Sequence, residues 1–177
     1  MKTFFARYES QVVGVAAIAL AASIQSVMVG GEAIANPQPQ PIPMAQAMTV
    51  PQALETLRQS ERRWIEINLS SQRLMAWQGN ERVYAVIISS GTQTNPTLPG
   101  VFAIQSKHEE ARMQGEDYDV PDVPFAMYYD GNYAIHGAYW HNQFGTPMSH
   151  GCINVAVDHA EWLFNWAATG TPVVVHY

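Results

Sequence analysis

The chain has 177 residues, with 9 Lys and Arg against 15 Asp and Glu, a formal net charge of −6. Apolar residues make up 47% and charged residues 14%, the balance of a globular protein and not of a disordered one. A net acidic chain with no Lys/Arg run argues against a nucleic-acid partner, and its single Cys excludes a disulfide framework and a multi-Cys metal site. Dinucleotide and phosphate-loop glycine patterns are missing, as is HExxH.

Lys2 and Arg7 precede an apolar run over residues 12–22, and Ala33-Ile34-Ala35 supplies a small-x-small exit. Residues 1–35 therefore read as a secretory signal peptide, or as a retained N-terminal membrane anchor. The run falls short of the roughly 20 residues a spanning helix needs unless residues 23–29 are included. Either reading places the remainder outside the cytoplasm, in the periplasm or cell envelope, the anchor adding membrane association. Residues 36–62 read as a Pro/Gln-rich linker: Pro37, Pro39, Pro41, Pro43 and Pro51 favour extended polyproline II. Within it, the stretch from Gln52 is a short helix or a polar tail. Residues 63–177 are long enough for one core.

Ile65, Ile67 and Leu69 alternate with Glu66 and Asn68, the period of a half-buried strand. Ser70-Ser71-Gln72 is a turn, and residues 73–77 form a second strand ended by Gly79-Asn80. Residues 83–88 are too apolar for strict alternation and read as a central strand. Pro99-Gly100 leads into a strand over 101–105. Residues 109–122 carry Glu109, Glu110, Glu116, Asp117, Asp119 and Asp122 against Arg112 alone. That stretch reads as a solvated loop, with a calcium loop or a docking site for an amine as functional alternatives; its spacing does not match an EF-hand. Strands over 123–129 and 133–135 flank a hairpin turn at Asp130-Gly131-Asn132. Residues 158–167 give the single clear helix, with Asp158 near its start and Gly170 ending it, before a last strand over 173–175. Many short strands and one helix predict a mainly β sandwich or barrel.

Residues 133–155, YAIHGAYWHNQFGTPMSHGCINV, hold the only Cys, Cys152, and three His: His136, His141 and His150. A free thiol exposed to oxidation outside the cytoplasm is unusual. His can take a thiol proton near neutral pH, and a thiolate nucleophile needs such a partner. A Cys-His nucleophilic site, a metal site of the three His, and a buried structural Cys are the three readings these residues allow.

Ser149-His150-Gly151-Cys152-Ile153-Asn154, with His136-Gly137 upstream, resembles the signature of the L,D-transpeptidase catalytic domain, the YkuD family. Ser89-Ser90-Gly91 followed by Thr97-Leu98-Pro99-Gly100-Val101-Phe102 resembles its SSG…TPxG-x-F stretch, with Leu98 placed between Thr97 and Pro99. Gly170-Thr171-Pro172-Val173 is similar to its closing GTPV. The resemblance covers residues 63–177. It implies a β-sandwich of mixed sheets with one short helix after the nucleophile motif, and a cell-wall enzyme, a monomer, acting on peptidoglycan stem peptides without metal or organic cofactor. It implies Cys152 as nucleophile and His136 as general acid/base, with the Gly137 carbonyl orienting the imidazole. Ser149 and His150 would line the site, Gly151 and Cys152 N–H groups would hold the oxyanion, Asn154 would support the nucleophile turn, and His141 would be a further lining residue. The reaction implied releases D-alanine from a tetrapeptide stem through a Cys thioester and passes the acyl group to an amine, as in 3-3 cross-linking. An L,D-carboxypeptidase using water, and a non-catalytic wall-binding module on the same fold, are the alternatives.

Overall fold

A computed structural model of the chain describes residues 48–177. The segment read as a signal or anchor, and the Pro-rich start of the linker, lie outside the described residues. Among the described residues no helix is long and apolar enough to cross a membrane.

The first element, helix α1 (Val50–Arg58), falls inside the stretch read as linker. Its start is fixed locally: Gln52 Oε1 accepts from the Thr49 backbone N–H at 3.0 Å and from its hydroxyl at 2.9 Å, and Pro51 occupies the first turn. Ala53 and Leu57, four residues apart, form one buried face and pack with Trp64 and Val174.

Nine strands follow: β1 (Arg63–Asn68), β2 (Arg73–Gln78), β3 (Glu81–Ile87), β4 (Gly100–Ala103), β5 (Ser106–Gln114), β6 (Asp119–Asp130), β7 (Tyr133–Gly137), β8 (Ile153–Val155) and β9 (Pro172–His176), with helix α2 (Val157–Trp166) between the last two. They make a five-stranded sheet in the order β3-β2-β1-β9-β4 and a four-stranded sheet in the order β5-β6-β7-β8. Each sheet is mixed, with one parallel pair, β1 with β9 and β7 with β8. Ile65, Ile67, Leu74 and Val175 from the first sheet share a core with Met127, Ile135, Ile153 and Val155 from the second and with Ala160 and Leu163 of α2. The mainly β, two-sheet fold read from the sequence is the one observed.

Four elements differ from the sequence reading. Strand β1 is buried on both faces, not one, because α1 covers the side bearing Trp64 and Glu66. Strand β3 lies at the sheet edge and not at its centre, with Val83 and Ile87 exposed. The acid-rich stretch is not a loop: its flanks are the arms of the β5–β6 hairpin, which turns at residues 115–118. The helix after the Cys152 motif ends at Trp166, with Ala167 as its C-cap three residues before Gly170. That terminus has no basic residue of its own in the last turn. Lys107 Nζ reaches it instead, donating to the Phe164 and Ala167 carbonyls at 2.5 and 2.6 Å, and Arg63 donates to Trp166 O at 3.0 Å.

Candidate active site

Strand β8 begins one residue after Cys152 and runs parallel to β7, with Ile135 opposite Ile153 and His136 opposite Asn154. Side chains alternate across a strand, so His136 and Asn154 share one face and Cys152 continues it, diagonal to His136. This face opens into a cleft of about 270 Å³ lined by His136, Cys152, Ser149, His150 and Asn154, with Met113, Tyr118, Val120, Trp140 and Met148.

His136 is 2% exposed. Its Nδ1 lies 3.0 Å from the Gly137 carbonyl. A carbonyl only accepts, so Nδ1 carries the hydrogen and Nε2 of the neutral ring keeps its lone pair. Burial takes the imidazole pKa down to about 4, against a smaller upward effect of the Gly137 bond. Gly137 has no side chain for a packing reason: a Cβ there would meet Pro124 Cγ at 2.9 Å.

Cys152 is half-buried, and its thiol donates to the Asn132 carbonyl in the β6–β7 turn at 3.6 Å. Burial raises the thiol pKa, opposed by a backbone hydrogen bond from Ala134. Burial thus favours the neutral form of each group, thiol and imidazole alike. Ser149 Oγ donates to the Cys152 carbonyl at 2.6 Å and accepts from Gly151 N–H at 3.0 Å. Gly151 sits at φ +118, and a Cβ there would lie 2.7 Å from Tyr133 Cε1. Of the two backbone N–H groups expected to hold the oxyanion, Gly151 N–H is bonded to Ser149 Oγ.

His150 turns to the hairpin tip. Its Nε2 is 3.3 Å from Asp117 Oδ2, and its ring stacks on Tyr118 with centroids 4.5 Å apart. His141 lies behind Asn154 and not on the cleft wall, its Nε2 3.1 Å from the Asn154 amide. Both neighbours of the His141 ring are N–H groups, Gln143 N–H at 3.3 Å from Nδ1 and Asn154 Nδ2 at 3.1 Å from Nε2. The three His thus point to three different partners, and among the described residues no group of three His, Cys, Asp or Glu converges as a ligand set.

The family model described as the YkuD L,D-transpeptidase catalytic domain matches residues 62–175. The chain belongs to the YkuD family of L,D-transpeptidase catalytic domains. It is 31% identical to L,D-transpeptidase 2 of Mycobacterium tuberculosis over 108 residues, 54% of this chain and 26% of that protein. Its fold matches the NMR structure of the catalytic domain of an Enterococcus faecium L,D-transpeptidase with a TM-score of 0.60 at 31% identity, covering 66% of this chain and 98% of that one. It also matches the avibactam carbamoyl enzyme of the L,D-transpeptidase Ldtfm with a TM-score of 0.62 at 32% identity, covering 66% of this chain and 49% of that one. The chain therefore spans a quarter to a half of these longer relatives and nearly all of the isolated domain.

In this L,D-transpeptidase domain three of the residues that sequence reasoning missed come from the hairpin. Met113, Tyr118 and Val120 close one side of the cleft. Their signal was present: Ala111 and Met113, then Tyr118 and Val120, recur at period two on either side of Gly115. The acidic residues between them drew the reading to charge and away from alternation. Trp140 forms the opposite wall beside His136, ring centroids 5.8 Å apart. The Asn132 carbonyl gave no signal at all, because any residue at that turn supplies one.

Proposed function

We propose that this domain is an extracytoplasmic L,D-transpeptidase that acts on peptidoglycan tetrapeptide stems through a Cys152 thioester. The observation that carries the reading is the neutral, buried His136, fixed at Nδ1 by Gly137 O with Nε2 unprotonated, on the sheet face it shares with Cys152. His136 Nε2 takes the Cys152 proton as sulfur attacks the carbonyl of the third stem residue. Cys152 N–H stabilises the oxyanion, one such donor being worth about 3 kcal/mol. The carbon–nitrogen bond breaks, His136 returns the proton to the departing D-alanine amine, and a thioester remains. An acceptor amine then attacks, His136 takes its proton, and the C–S bond breaks. The resulting thiolate recovers its proton from His136.

Apolar walls at Met113, Val120, Trp140 and Met148 suit a thioester that must outlast water until an amine arrives. No step requires a metal or organic cofactor. The partner is the peptidoglycan stem; the N-terminal segment would deliver the chain across the membrane or hold it there. Electrophiles that acylate a thiol should add once per chain, in line with the carbamoyl enzyme described for Ldtfm.

The deciding experiment incubates the full chain with a disaccharide-tetrapeptide and follows D-alanine. Release that disappears in Cys152→Ala, at unchanged folding, supports the reading. Release that persists in Cys152→Ala refutes it.

A further inference from the structure

On the side of the nucleophile turn away from β7, a segment outside the named strands holds it in place. Ser89 and Asn154 exchange backbone hydrogen bonds, 2.9 Å each way. The Ser90 carbonyl accepts from both Met148 N–H at 2.8 Å and Ser149 N–H at 3.0 Å, and Thr92 N–H donates to Ser149 O at 3.0 Å. Ser149 in turn fixes Cys152 and Gly151, so the position of the sulfur depends on the position of the Ser90 peptide.

What fixes Ser90 is Gln72, in the turn between β1 and β2 of the other sheet. Gln72 has φ +51, a left-handed backbone that favours Gly or Asn, and as a turn residue it is expected to be solvated. It is instead 5% exposed. Its amide makes three bonds: Nε2 donates to Leu69 O at 2.8 Å and to Ser90 Oγ at 2.7 Å, and Oε1 accepts from Ser90 N–H at 2.9 Å. A long amide in a backbone conformation that disfavours it, with two of three bonds on one serine, is explained by what that serine carries.

We infer that Gln72 is a positioning residue for the nucleophile, setting the Ser90 peptide and through it the Ser149–Cys152 turn. This inference rests on the acyl-transfer reading above. Gln72 does not line the catalytic cleft, so its removal should leave substrate binding intact and slow the step that needs sulfur, oxyanion donor and carbonyl in register.

The test uses the full chain, Gln72→Gly and Gln72→Asn. Gly relieves the left-handed backbone and Asn suits it, but neither reaches Ser90. Both should melt near the parent temperature, with kcat for D-alanine release from a disaccharide-tetrapeptide down about tenfold or more. KM should be unchanged, as should the rate and pH profile of alkylation by iodoacetamide, which needs no oxyanion donor. Parental kcat in either variant overturns the inference. So does a Gly variant that unfolds, since the amide would then be holding the fold and not the nucleophile, and so does a loss confined to KM. A parent chain that neither releases D-alanine nor takes up an acyl group removes the acyl-transfer reading itself, a result distinguishable from an active parent with an equally active Gln72→Gly.

Discussion

At His136, burial and the Gly137 carbonyl act on the imidazole in opposite directions, and burial is the larger effect, holding the pKa down to about 4. A general base must be unprotonated to act, so the acid limb of kcat/KM should lie near pH 4 and not near the 6.5 of an ordinary imidazole. An acid limb at pH 6 to 7 in the parent chain would contradict that assignment. The same shift has a stability consequence. Between about pH 4 and 6.5 the unfolded chain binds this proton and the folded chain does not, so stability should fall as pH is lowered through that window. Replacing the ring in His136→Gln should flatten that part of the stability profile in denaturant titrations, and lower acylation by about 10²–10⁴-fold. A second residue whose role is local is Lys107. Its ammonium bonds two carbonyls at the end of α2 while its charge lies 4.2 Å over the Phe164 ring. Lys107→Met keeps the aliphatic stem but leaves both carbonyls unpaired, and should cost about 1–3 kcal/mol in urea unfolding.

Among the elements, the β5–β6 hairpin and helix α1 each alter the picture drawn from sequence. The hairpin bends where Asp122 and Phe125 take φ +50 and +57 and where register shifts between Ala111 and Met113. The bend brings Met113, Tyr118 and Val120 over the cleft, and the Tyr118 ring rests on His150. Tyr118 touches the cleft but supplies no group to the chemistry proposed. Tyr118→Ala should therefore raise KM for the stem with kcat little changed; an equal fall in kcat at constant KM would assign Tyr118 to the transition state instead. Helix α1 covers Trp64 and Val174, so the packed unit begins before Arg63. A chain truncated to start at Arg63 should unfold at lower denaturant than one starting at Met48, and Leu57→Ala alone should cost about 2–5 kcal/mol. The edge position of β3 was hidden from sequence for a physical reason. Edge and centre differ in what pairs with the backbone, not in the side chains of a short apolar run.

For the molecule as a whole, legibility follows the range of the interactions concerned. The motif around His136 and Cys152 was legible as a family resemblance, while the residue types alone left a Cys-His site, a three-His metal site and a structural Cys open. A mainly β fold was readable because period-two alternation at Ile65 and Ile67, and turn residues at Gly79 and Gly131, are local signals, whereas the sandwich of mixed sheets was implied by the family resemblance. What was not readable depends on chain segments far apart in sequence. Gln72 meeting Ser90, Asn132 holding the thiol proton and Tyr118 capping His150 are products of sheet pairing, and the engagement of Gly151 N–H by Ser149 appears only once the turn is built. Of these, the Asn132 carbonyl touches the Cys152 sulfur directly. The central claim is tested by intact mass spectrometry of the full chain after brief exposure to a disaccharide-tetrapeptide without added amine. The account predicts one covalent acyl adduct per chain, equal to the stem less its terminal D-alanine, located on Cys152 and absent from Cys152→Ala. An adduct that survives in Cys152→Ala, or D-alanine released by the parent with no adduct on sulfur at any time, would contradict it.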